Sequence, residues 1–85
     1  MATMTTPPGI KPAAKLDTLG LYCPVPIIKT SRKIREIPTG EVLEVLSDDP
    51  LIVLDMRAWC DSNEHEYLGV QRNERWFWVY VRRLH

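Results

Sequence analysis

The chain has 85 residues, with eleven basic and eleven acidic side chains and no formal net charge; that excludes a two-domain organisation and leaves no electrostatic basis for autonomous tight binding to nucleic acid or an anionic membrane. Its two cysteines, Cys23 and Cys60, are too few for a disulfide framework and lack metal-ligand spacing, so neither a metal site nor a cofactor is expected and a reducing compartment fits best. No apolar signal-peptide core is visible and no run is long enough to span a bilayer, so the expectation is a soluble, cytoplasmic protein with no membrane partner.

Residues 1 to 13 are rich in Thr, Ala and Pro and poor in large apolar groups, which predicts a flexible tail ahead of a folded domain over 14–85. A short strand is expected at 14–18, with Leu16 in the core, followed by a turn at Gly20. The stretch Leu21-Tyr22-Cys23-Pro24-Val25-Pro26 then puts a cysteine directly before a proline-initiated helix. Pro24 suits a first helical position and Pro26 the first turn, which makes Cys23 the expected N-cap. The prolines delete two of the donors a helix start leaves unpaired, so the N–H groups of Cys23 and Val25 remain. Those donors, the helix dipole and the basic run Lys29, Arg32, Lys33 and Arg35 predict a thiol pKa below the ordinary value. A merely packing cysteine needs none of these features.

The first helix, expected over 24–36, places Ile27, Thr30, Ile34 and Ile37 on one face, and Pro38-Thr39-Gly40 ends it. A second strand runs from Glu41 to Ser47, with Leu43 and Val45 on one face and Val42, Glu44 and Leu46 on the outer one. Asp49-Pro50 starts a second helix over 50–62, whose stripe Ile52, Val53, Met56, Trp59 and Cys60 makes Cys60 a core residue. Leu51, Leu54 and Ala58 add an apolar stripe on another side of that helix. Two strands, 65–72 and 75–82, form a hairpin about Asn73-Glu74. In the last one Phe77, Val79 and Val81 alternate with Trp76, Trp78 and Tyr80, so both sheet faces are apolar there. This second set is expected to point away from the helices, as a contact surface or under the N-terminal tail, and self-association is possible. The order βαβαββ implies an α+β two-layer α/β sandwich, a mixed four-stranded sheet with both helices on one face.

The segment Leu16-Asp17-Thr18-Leu19-Gly20-Leu21-Tyr22-Cys23-Pro24-Val25-Pro26 resembles the strand-and-CPxP signature of the TusA/SirA family of small sulfur carriers, and Ser47-Asp48-Asp49-Pro50 and Glu64-His65-Glu66 match as well. The resemblance spans about residues 15–83 and implies that Cys23 is a persulfide carrier, supported by Pro24, Val25 and Pro26 at the helix start. It implies a sulfur-donor protein, a cysteine desulfurase or rhodanese-like enzyme, and an acceptor protein in tRNA thiolation, molybdenum-cofactor metabolism or sulfur oxidation. Such a chain is a sulfurtransferase component, a relay rather than a stand-alone catalyst. By charge and position, Lys29, Lys33, Asp48, Asp49 and Arg57 are candidate partner contacts.

The competing reading is a nucleic-acid-binding module using the Trp76, Trp78 and Tyr80 face with Arg72, Arg75, Arg82 and Arg83. Zero net charge and the CPxP motif count against direct nucleic-acid binding. Thiol redox chemistry lacks a CxxC partner, and His65 is too isolated to suggest a metal site.

Overall fold

Alternating apolar residues build the sheet and two amphipathic segments cover one side of it. The computed structural model describes Thr3–Met4 and residues 11–85. Its elements are β1 (Thr3–Met4), β2 (Ala14–Asp17), α1 (Val25–Lys33) continued by a 3-10 turn (Ile34–Glu36), β3 (Val42–Ser47), α2 (Ile52–Asn63), β4 (Glu66–Arg72) and β5 (Phe77–Arg82). The strands lie in the order β1-β4-β5-β3-β2, with β2 and β3 parallel and the other pairs antiparallel. The four main strands form the expected mixed sheet, and the two-residue β1 joins it at the β4 edge. Apart from Thr3–Met4 and residues 11–13, the segment expected to be a flexible tail lies outside the described residues.

Both helices pack on the face carrying Leu43, Val45, Val79 and Val81. Ile34 and Ile37 from the first helical segment and Ile52, Met56 and Cys60 from α2 close that core, with Ile27, Val53, Trp59 and Phe77 at its margin. The apolar faces expected of both helices are thus the buried ones. Burying the thiol of Cys60 pushes its pKa up to about 12, because a thiolate there would lose its solvation. The opposite face of the sheet carries Val42, Glu44, Leu46, Trp78 and Tyr80, as the alternation predicts.

Helix boundaries differ from the sequence reading. α2 begins at Ile52, two residues after Pro50, because Asp49 and Pro50 are spent on a turn closed by Ile52 N–H to the Asp49 carbonyl at 3.0 Å. It ends where Glu64 takes a left-handed conformation, φ 58°, and a position usually held by glycine gives no signal in the sequence when glutamate fills it.

The two apolar stripes of α2 separate core from surface. Met56→Ala should cost about 2–5 kcal/mol in urea unfolding, a large share of the ~5–15 kcal/mol typical of a small domain. Leu54→Ala, at a side chain left 69% exposed, should change stability by no more than about 0.5 kcal/mol.

Candidate functional site

Parallel pairing of β2 with β3 brings the ends of both strands to one edge, Asp17 beside Leu46. The loops that follow therefore rise together, and both helices start there. Thr18 fixes the first loop: fully buried, it donates N–H and Oγ1 to the Leu46 carbonyl at 2.8 and 2.5 Å. The chain then reverses through a turn closed by Leu21 N–H to the Thr18 carbonyl at 3.1 Å, with Gly20 at φ 78°, where a side chain is strained.

Two aspartates of the second loop hold the first. Gly20 N–H donates to Asp48 Oδ1 at 3.1 Å and Cys23 N–H to Asp49 Oδ2 at 3.2 Å. The other Asp49 oxygen accepts Leu51 N–H at 3.0 Å, and its own N–H donates to Ser47 Oγ at 3.1 Å. Asp49 is only 6% exposed, so it is an internal strut and not the surface contact expected of it. Asp48 remains partly exposed, with one oxygen engaged in the loop.

Cys23 emerges from this frame with an exposed, unbridged thiol. It is not the N-cap: α1 starts at Val25, Pro24 occupies the cap after a cis Cys23–Pro24 bond, and Pro26 is in the first turn. The donors expected to be free are both used, Val25 N–H by the Tyr22 carbonyl at 2.9 Å and Cys23 N–H by Asp49. The thiol pKa accordingly moves up from its ordinary value. The first cause is a hydrogen bond to the Asp55 side chain, then slight desolvation, then the charges of Asp55 and Asp49. Asp55, in the first turn of α2, was missed as a site residue in the sequence. Only the side-by-side start of the two helices brings it to the thiol.

The remaining candidates are dispersed. Lys29 is exposed on α1, whereas Lys33 Nζ pairs with Glu36 Oε1 at 3.2 Å. The Arg57 guanidinium lies 5.5 Å from the centre of the Tyr67 ring, packing α2 against β4. Besides the Asp49 and Asp55 carboxylates, the end of the fold that carries Cys23 is apolar: Tyr22 beside it, Val25 and Ile28 at the start of α1, and Leu51 and Leu54 at the start of α2 are all exposed. At the other end of the helices, Arg35, Trp59, His65, Arg83 and His85 line a cleft of about 430 Å³. His65 stacks between Trp59 and His85, at centroid distances of 5.3 and 4.6 Å, and its pKa is lowered by burial and then by the charges of His85 and Arg83. Among the described residues, no group of three or more His, Cys, Asp and Glu side chains could hold a metal ion, and no helix is long and apolar enough to cross a membrane.

Comparison with known proteins bears on the family and the fold. Residues 14–83 match the family model described as Sulfurtransferase TusA. The chain is 42% identical over 62 residues to YrkF of Bacillus subtilis, whose name is that of a sulfur carrier; the match covers 73% of this chain but spans only 34% of that protein. It is 34% identical over 70 residues to the sulfur carrier protein TusA of Pseudomonas syringae, covering 82% of this chain and 83% of that one. Among solved structures, the SirA-like protein from Desulfitobacterium hafniense shares the fold, with a TM-score of 0.67, 23% identity and coverage of 85% of this chain and 99% of that one.

The carboxylate environment of Cys23 can be read by alkylation. The rate of iodoacetamide modification should rise with a midpoint above the ordinary thiol pKa of about 8.5. Asp55→Asn, which removes the nearer charge, should move that midpoint to lower pH, and Cys60 should stay unmodified in the folded protein. A wild-type midpoint below the ordinary value would contradict the geometry.

Proposed function

This chain belongs to the TusA family, and from that premise we propose that it is a sulfur carrier in which Cys23 takes up sulfane sulfur as a persulfide from a donor protein and relays it to an acceptor protein. The observation that carries the reading is the contrast between the two thiols. Cys23 is exposed on a rigid loop among exposed apolar side chains, whereas Cys60 is sealed in the core. A carrier needs one accessible sulfur, a surface that admits a partner's active-site loop, and no neighbouring thiol able to resolve the persulfide into a disulfide.

The transfer balances without an external oxidant. The Cys23 sulfur attacks the outer sulfur of the donor's persulfide, a new S–S bond forms, and the donor's S–S bond breaks to release its sulfur as a thiolate. Cys23 gives up its proton in the process, and the Asp55 carboxylate that accepts the thiol hydrogen bond is positioned to receive it. In the free carrier the same carboxylate keeps the thiol protonated and slow toward adventitious electrophiles, since the thiolate is the reactive form. Tyr22, Val25, Leu51 and Leu54 then supply the apolar area for docking. Lys29, exposed on α1, and the partly exposed Asp48 are the charged contacts that orient the partner. Such a relay suits the cytoplasm, where thiols stay reduced.

Incubation with a cysteine desulfurase and cysteine, followed by digestion and peptide mass measurement, should show one added, reducible sulfur on the Cys23 peptide and none on the Cys60 peptide. Cys23→Ser should abolish loading. Leu54→Asp should slow it at least about tenfold while leaving the fold intact, because a charge is placed in the docking area at an exposed position. Loading that persists in Cys23→Ser would overturn the assignment.

A further inference from the structure

The carrier role leaves one cavity without a task. The cleft at the opposite end of the helices from Cys23 measures about 430 Å³, within the range of about 300–1,000 Å³ usual for small-molecule sites. Four parts of the chain build it. Ser31, Ile34 and Arg35 come from the first helical segment, Trp59 and Asn63 from the end of α2, His65 from the residue before β4, and Arg83 and His85 from the chain after β5. Among these lining residues there is no aspartate or glutamate, although the chain has as many acids as bases.

Helix C-termini present unpaired carbonyls and the negative end of the helix dipole, which ordinarily disfavour an anion. Here those carbonyls are taken. Arg83 Nη1 donates to the Arg35 and Ile37 carbonyls at 3.2 and 2.7 Å, and Asn63 Nδ2 to the Trp59 carbonyl at 2.9 Å. His65 N–H donates to the Cys60 carbonyl at 3.0 Å and His85 Nε2 to the Asn63 carbonyl at 2.8 Å. What remains is positive charge and spare donors. Arg83 spends its Nε and Nη1 donors on main-chain oxygens but keeps its charge in the cleft. The Arg35 guanidinium is exposed and has no hydrogen-bond or ion-pair partner among the described residues. His65 adds a second donor: Nδ1 accepts Leu84 N–H at 3.2 Å, which puts the proton of the neutral ring on Nε2, and that N–H has no partner among the described residues.

The rings supply a flat surface beside these donors. Trp59, His65 and His85 stack in a row, with interplanar angles of 26° and 10°. The row ends at the exposed His85, so a further planar group can extend it. We propose that this cleft binds a small planar organic anion with a carboxylate or phosphate head, the head held by Arg35 and His65 in the field of Arg83 and the planar body stacked on His85. The fork of an arginine suits either head group, since both present paired oxygens. An inorganic anion alone would leave most of the cleft empty and forgo the stack. This inference is independent of sulfur transfer at Cys23, which lies at the other end of the helices.

Titration of the full chain with benzoate and, separately, with phenyl phosphate, followed by nitrogen–proton NMR, tests it. The Trp59 indole N–H, the Asn63 side-chain amide and the Leu84 amide should shift together and saturate with at least one of the two anions, and the one that binds tighter names the head group. Phenol, which has the ring without the charge, should bind at least about tenfold more weakly. Inorganic phosphate should also bind more weakly than the tighter organic anion. Arg35→Gln changes an exposed side chain and should leave the rest of the spectrum in place, yet weaken binding at least about fivefold. Arg83→Gln could loosen the turn that Arg83 caps, so the Arg35 variant carries the test. No saturable shift at the cleft residues with either anion, phenol binding as tightly as the anions, or unchanged affinity in Arg35→Gln would overturn the proposal. Inorganic phosphate binding as tightly as the organic anions would overturn the assignment of a planar organic ligand.

Discussion

One buried carboxylate organises the site. A carboxylate withdrawn from water is costly unless its oxygens are satisfied, and Asp49 meets that condition by taking Leu51 N–H on one oxygen and Cys23 N–H on the other. Those two bonds link the start of α2 to the cysteine loop. Because Ser47 in turn holds the Asp49 backbone, the position of the thiol is referred to β3, the most buried strand. Neither loop would have a fixed course alone. The parallel pairing of β2 and β3 puts both at one edge, and Asp49 converts that proximity into a single rigid rim.

The electrostatics of the thiol follow from what that rim consumes. A cysteine before a helix ordinarily gains from unpaired N–H groups worth about half a unit charge. Here Tyr22 and Asp49 accept the nearby donors, while Asp55 and Asp49 bring full negative charges into the same small volume. Full charges close by outweigh a depleted half charge, so the thiol is held protonated. The basic run on α1 does not reverse this, and Lys33 is already engaged with Glu36.

The sequence made the architecture legible because both helices and all four main strands carry their period openly. The Ile27-Thr30-Ile34-Ile37 face and the Leu43/Val45 parity led directly to the observed core. Cys60 was readable as core for the same reason. The site was legible only in part. Cys23 stood out by its prolines, but the prolines suggested a cap one residue too early, because the Val25 donor is used by the Tyr22 carbonyl within the loop, which local propensity does not reveal. Asp49 looked like a surface acid since aspartate is usually exposed, and its burial follows from a tertiary bond 26 residues away in sequence. Asp55 carried no signal at all. Its role comes from two helices starting side by side, which only the strand order decides.

The aromatic strand shows how parity can mislead about function. Alternation correctly put Trp78 and Tyr80 away from the helices, and arginines nearby completed the look of a nucleic-acid surface. Yet Tyr80 is spent on the fold: its hydroxyl donates to Glu44 Oε1 at 2.8 Å, and burial followed by that bond and the carboxylate's charge drives its pKa far up. Arg82 pairs with Glu66 at 3.0 Å, and Arg83 donates to the carbonyls of Arg35 and Ile37 at 3.2 and 2.7 Å. Cations occupied in this way have little left for phosphates. Exposed apolar area is concentrated instead around Cys23, where the ends of two parallel strands leave side chains of both helix starts without a layer to cover them. In a chain this small, with no net charge to steer a polyanion, an uncovered apolar rim is the kind of surface that protein contacts favour.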